Sequence, residues 1–284
     1  MDGRGGGKTR ARVRILEAGR ERLASDLVAT EEPLEIRLGP AGAAHPVAVT
    51  MRTPGADFEL AAGFLFSEGL ISSRDEITRI RYCVDRAAGE EQRYNVVTVD
   101  QRGAAPLPPP ASDRRFPVSS ACGICGKTSL DQLASRGLTP LPPGPEVPIA
   151  VVYGLPDRLR EAQGLFAQTG GIHAAGLFDR DGGLVALRED VGRHNALDKL
   201  IGWALLEGKL PLADAIVLVS GRASYELAQK CVAAGAPVLC AVSAPSSLAI
   251  DLARRFNLTL IGFLRGERCN LYHDAGRIRD LETI

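Results

Sequence analysis

The chain has 284 residues, 45% of them hydrophobic, with 34 basic and 34 acidic side chains and so no net charge. That balance gives no overall pull toward nucleic acid or an anionic membrane, and no apolar run is long enough to span a bilayer. The length exceeds what one compact core needs and suits two unequal domains. Six cysteines, with no secretory apolar stretch at the start, point to the cytoplasm, where paired cysteines serve chemistry or metals more often than disulfides.

Residues 1–14 are rich in Gly and Arg and read as a disordered basic tail. Gly7-Lys8-Thr9 is not a phosphate loop, because the first glycine of that motif would fall on Asp2 and no strand precedes it. Residues 15–115 read as an α+β domain of short strands. Residues 34–38 and 47–53 form one expected hairpin, and residues 77–84 and 94–99 another. Between them Asp57 caps a helix to about Glu68, with Phe58, Leu60, Ala61, Phe64 and Leu65 on its apolar face and Gly69 ending it. Cys83 falls in an alternating strand and reads as a small buried hydrophobe.

Residues 116–148 read as a mobile loop and linker around Cys122-Gly123-Ile124-Cys125-Gly126-Lys127, between proline-rich stretches at 105–110 and 140–148. Gly123 and Gly126 leave the backbone beside each sulfur bare. The box Ser129-Leu130-Asp131-Gln132 opens a helix just beyond the thiols, and its N-terminus and the Lys127 ammonium both favour thiolate. The pair alone admits a redox couple, half a zinc site that His173 or His194 could complete, a mobile group-carrying nucleophile, or inert cysteines.

Residues 149–284 alternate helix and strand in the manner of a layered α/β domain. A helix opens at Pro156-Asp157 and ends at Gly170-Gly171, followed by a strand pair around residues 179–183. Further helices are expected over 196–206, 225–234 and 247–255. The apolar runs 215–219, 237–242 and 258–264 suit buried parallel strands. Each runs into a polar turn, namely Ser220-Gly221-Arg222, residues 243–247, and Arg265-Gly266-Glu267-Arg268. In such folds ligands bind beyond the carboxyl ends of strands, so these turns suit either a nucleotide-like anion or ordinary solvent. The stretch from Glu189 to Asn195 is dense in functional side chains. Its bland reading is a helix cap at His194 or Asn195 and a surface pair of Asp190 with Arg193, with His173 a core histidine.

Taken together, Cys122-Gly123-Ile124-Cys125-Gly126-Lys127, the run from Thr169 to Ala175, the run from Glu189 to Lys199, Ser220-Gly221-Arg222 and the stretch from Ala241 to Gly266 resemble the FdhD family, accessory sulfurtransferases required for active formate dehydrogenase. The resemblance implies a cytidine deaminase-like three-layer C-terminal domain beside a smaller α+β domain. It also implies sulfur received as persulfide from a cysteine desulfurase and passed to the molybdenum bis(guanine dinucleotide) cofactor before insertion into formate dehydrogenase. By position in the motif Cys122 is the carrier and Cys125 its helper, and Phe263, Leu264, Arg265, Gly266, Glu267 and Arg268 form the cofactor-binding segment. A homodimer is expected, without structural metal, nucleic acid or membrane as partner. Zinc deaminase chemistry is disfavoured, because His173-Ala174-Ala175 lacks the required glutamate and the cysteine pair comes before the histidine without a preceding proline. The other alternative, a chaperone that only binds cofactor or apoenzyme, would tolerate loss of both cysteines.

Overall fold

The computed structural model describes residues 6–83, 94–103 and 137–282. Strands β1 (Lys8–Glu17) and β2 (Arg20–Ala29) form an antiparallel ribbon. Its two-residue turn places Ala18 and Gly19 at φ 47° and 76°, the twist that a tight hairpin requires. Strand therefore replaces the expected tail over residues 8–14. The reason is a period of two: Ala11, Val13 and Ile15 are half-buried between exposed Arg10, Arg12 and Arg14.

The smaller sheet contains β3 (Glu32–Gly39), β4 (His45–Arg52), β5 (Ile77–Tyr82) and β6 (Val96–Gln101) in the order β4-β3-β6-β5. Both expected hairpins form, and a parallel pairing of β3 with β6 joins them. Helix α1 (Asp57–Ser67) crosses this sheet, burying Leu60, Ala61 and Leu65 against Leu34, Ile36, Val97 and Val99. Asp57 does not cap the helix. Its carboxylate takes two hydrogen bonds from buried Arg52, at 3.1 and 3.0 Å, so each buried charge has its partner.

The larger unit contains β7 (Val147–Pro148), α2 (Ile149–Ala162), α3 (Gly164–Thr169), β8 (His173–Phe178), β9 (Leu184–Asp190), α4 (Arg193–Leu206), β10 (Ile216–Val219), α5 (Tyr225–Ala233), β11 (Val238–Ala241), α6 (Ser247–Arg255), β12 (Thr259–Arg265), β13 (Arg268–His273) and β14 (Ile278–Arg279). Six of its strands form one sheet in the order β13-β12-β11-β10-β8-β9, with β10, β11 and β12 parallel as expected. Alternate side chains face opposite layers. Val217, Leu239 and Leu260 pack with α4, α5 and α6, whereas Ile216, Leu218, Val238 and Ile261 pack with α2.

Three features depart from expectation. Helix α2 begins at Ile149 and carries Pro156 inside it, because Val152, Leu155 and Leu159 hold one face to the core through the proline. Strand β13 extends the sheet where only a turn was foreseen. Residues 137–148 pack onto the large unit instead of standing off as a linker: Leu141 is buried and donates its amide to the Phe256 carbonyl at 2.9 Å, and the Arg277 guanidinium donates to the Pro142 carbonyl at 2.7 Å. The two units meet where α1 lies along α4. There Ser67 donates to Asp198 at 3.0 Å, and Lys230 donates to the same carboxylate at 2.7 Å.

Candidate functional site at the carboxyl rim of the large sheet

Strand β8 is antiparallel to both β10 and β9, so β9 runs in the same direction as β10, β11 and β12. The carboxyl ends of these four strands and the start of β8 therefore share one rim. That single topological fact gathers His173, the stretch from Asp190 to Asn195, Ser220-Gly221-Arg222, residues 243–247 and Arg265-Gly266-Glu267-Arg268, which lie far apart in sequence.

The rim's frame is polar and buried. Asp190 is inaccessible to solvent and bonds Lys199 at 2.6 Å, the Gly192 amide at 2.8 Å, Asn195 at 3.1 Å and the Thr53 amide at 3.2 Å. The expected surface pairing of Asp190 with Arg193 is replaced by this buried one with Lys199. Asn195 does not cap α4 either; its side-chain amide donates to the Met51 carbonyl at 2.7 Å and so ties the rim to β4. Glu189 caps α3 by accepting from the amides of Leu165 and Phe166 at 2.9 and 2.8 Å.

Above this frame lie side chains with freer chemistry. His194 Nε2 sits 2.7 Å from Glu226 and 3.2 Å from the Ser224 hydroxyl, which also caps α5. That hydrogen bond from His194 holds the Glu226 carboxyl below its usual range. His173 is pushed below the usual histidine value by burial, then by the charges of Arg193 and His194. It is half-buried beside Arg193 and His194, and these surroundings favour its neutral form. Ser220 fixes the start of β8 by accepting from the Ala174 amide at 2.9 Å.

The segment anticipated to bind cofactor turns out to be a hairpin tip. Phe263 bulges out of β12 with φ 53° and is 39% exposed, while Leu264 points into the core. Arg265 and Arg268 face each other across Gly266 and Glu267, with Gly266 at φ 51°. Because β13 follows, no helix N-terminus stands behind this turn. Those that do open on the rim belong to α4, which starts at Arg193, and to α5 and α6, capped by Ser224 and Ser246. A shallow cleft of about 330 Å³ is lined by Phe263, Arg265, Arg268 and Asn270. Asn270 escaped sequence reasoning because nothing in a polar stretch marked β13.

Cys122 and Cys125 lie outside the described residues. Among the described cysteines, Cys83 and Cys269 are half-buried and Cys231 and Cys240 are buried. Burial pushes the Cys231 thiol up to about 12. It raises Cys240 further, with neighbouring Cys269 and Cys231 adding to the effect, and raises Cys269 in the same direction.

The profile of the FdhD/NarQ family matches residues 29–279. The sulfur carrier protein FdhD of Streptomyces avermitilis is 52% identical over 255 residues, covering 89% of each chain. That of Mycobacterium tuberculosis is 47% identical over 272 residues, covering 94% of this chain and 97% of the relative. A crystal structure described as a formate dehydrogenase accessory protein, from Desulfotalea psychrophila, superposes with a TM-score of 0.73 at 26% identity, covering 96% of this chain and 99% of the other.

Proposed function

The chain belongs to the FdhD/NarQ family, and on that premise we propose that it is a sulfur carrier serving formate dehydrogenase. Cys122 thiolate attacks the terminal sulfur of a cysteine desulfurase's persulfide. The donor's sulfur–sulfur bond breaks as a new one forms on Cys122, and the donor cysteine leaves as thiolate, so no oxidant is consumed. The Cys125 thiolate then attacks Cys122 Sγ, so that a Cys122–Cys125 disulfide forms as the persulfide bond breaks and the outer sulfur leaves at the sulfide level for the molybdenum bis(guanine dinucleotide) cofactor, here a substrate; a cellular dithiol reduces the disulfide before the next round. The dinucleotide docks on the rim at Phe263, Leu264, Arg265, Gly266, Glu267 and Arg268. In this reading the six-stranded sheet with helices on both faces is a cytidine deaminase-like domain, and the protein acts as a cytoplasmic homodimer without structural metal.

The observation that carries the reading is the contrast among thiols. Cys231 and Cys240 are sealed and held protonated, whereas Cys122 and Cys125 stand in sequence beside two glycines and Lys127, the surroundings of a reactive thiolate. Intact-mass analysis after incubation with a cysteine desulfurase and cysteine tests it. One added sulfur is expected, mapped to Cys122 and lost in Cys122→Ala. Sulfur found on Cys83 or Cys269, with Cys122→Ala still activating the client enzyme, would overturn the assignment to Cys122, whereas no added sulfur and full client activity without Cys122 and Cys125 would leave the chaperone reading.

A further inference from the structure

Three strands from the Arg265–Arg268 hairpin, the same rim holds a second set of candidate hydrogen-bond donors, one of them a guanidinium group. The Nε of Arg193 is shut off from solvent and has no hydrogen-bond partner. The imidazole of His173 makes no hydrogen bond to a described residue. Both side chains flank Gly221: a Cβ there would lie 3.4 Å from His173 Nδ1 and 3.9 Å from Arg193 Cδ. The missing methyl therefore leaves bare backbone between two donors.

The local charge is also unbalanced. His173 is held down by burial and by the neighbouring charges of Arg193 and His194, against which only Asp190 acts. Asp190 is already engaged by Lys199, Gly192 and Asn195, and Glu226 is engaged by His194. A small dianion with several acceptor oxygens would satisfy the orphaned guanidinium nitrogen and neutralise the excess at once.

We propose that His173 and Arg193, on either side of Gly221, form a second anion subsite for a phosphate-type group. Its place in the sheet indicates what the subsite serves. Neighbouring strands lie about 4.8 Å apart, so β8 and β12 are separated by roughly 14 Å, too far for one phosphate to touch both. The subsite takes a phosphate at one end of an elongated ligand whose guanine nucleotide end lies at the hairpin, and to that extent it rests on the function proposed above.

The test is titration of the full-length protein with inorganic pyrophosphate, followed by the histidine Hε1 resonances. Those of His173 should move saturably. Arg193→Gln should weaken binding at least tenfold. Gly221→Ala, whose added carbon makes only an ordinary contact and spares the fold, should also weaken it. Arg265→Ala should leave pyrophosphate binding unchanged while impairing that of GDP. No saturable movement at His173, or binding that survives both Arg193→Gln and Gly221→Ala, overturns the subsite. Loss of pyrophosphate binding in Arg265→Ala overturns it equally, since the hairpin would then be the site. Sulfur loading of Cys122 is read separately by mass, so the failure of either idea is visible without the other.

Discussion

Gly63 of α1 and Gly202 of α4 face each other so closely that a Cβ on Gly63 would fall 1.9 Å from the Asp198 carbonyl oxygen, and one on Gly202 1.8 Å from that of Glu59. No real carbon sits so near backbone, so an added methyl must push the helices, and with them the two units, apart. Gly63→Ala and Gly202→Ala are each expected to cost about 1–3 kcal/mol or more, read as a lower urea midpoint. A glycine-to-alanine change in a helix would ordinarily stabilise it by roughly 0.5–1 kcal/mol, so the sign of the result decides. An unchanged or raised midpoint would mean that the helices do not cross at these residues.

The buried thiols allow a second expectation. Cys231 is held at about 12 and Cys240 is raised further, so neither has an appreciable thiolate fraction near neutral pH, and both are sealed from reagent. Brief alkylation of the native protein with iodoacetamide should label Cys122 and Cys125 at least tenfold faster than Cys231 and Cys240, as read by peptide mass mapping. Rapid labelling of Cys240 would show that the large sheet opens at β11, and would remove the argument by which buried cysteines are set aside.

Much of this arrangement could be read from sequence, and what could not shares a physical cause. The parallel strands Ile216–Val219 and Val238–Ala241, and the buried Leu260 and Ile261 of β12, were legible because a strand buried on both faces must be apolar there. Strand β13 was not, since its exposed Arg268 and Asn270 resemble a solvated loop. The ribbon at the N-terminus escaped for a related reason: arginines dominate its composition although its alternation is regular. The strand-end turns were visible, yet the location of His173 on the same rim depended on β8 running antiparallel to β10. No local pattern encodes that direction. Partners of buried charges were equally hidden, as with Asp190, whose cation is Lys199 and not its near neighbour Arg193.

Acid should destabilise the protein in two stages. The folded-state values of His173 and His273 lie below the usual histidine value, in both cases chiefly through burial, with the charges of Arg193 and Arg254 respectively adding to it. Below about pH 6.5 the unfolded chain takes up protons that these imidazoles refuse, so stability falls as pH drops through that value. Glu226 acts lower down. Its depressed value contributes stability that is present above the unfolded carboxylate range and lost as pH falls through the folded one. Urea midpoints measured against pH in phosphate-free buffer should therefore decline first near 6.5, with a smaller decline in His173→Gln. A slope unaffected by that substitution would remove His173 from the account.

The hairpin tip carries the last expectation, and its geometry sets function against stability. Arg265 and Arg268 are directly paired across β12 and β13, and like charges opposite one another destabilise a strand pair. Phe263 adds a second cost, holding a left-handed backbone conformation with its ring 39% exposed. Both costs make sense if an anion with an aromatic base lies in the cleft, where the two guanidinium groups grip phosphate oxygens and the ring offers a stacking face. Each charge-assisted contact contributes on the order of 1.5–3 kcal/mol, so Arg265→Ala or Arg268→Ala should weaken GDP binding roughly ten- to a hundredfold by calorimetry. Affinity should also fall as salt is raised. The same substitutions relieve the repulsion, so the thermal midpoint without ligand should hold or rise slightly. Variants that lose stability but bind GDP as well as the parent would assign these arginines a structural role and move the nucleotide off the hairpin.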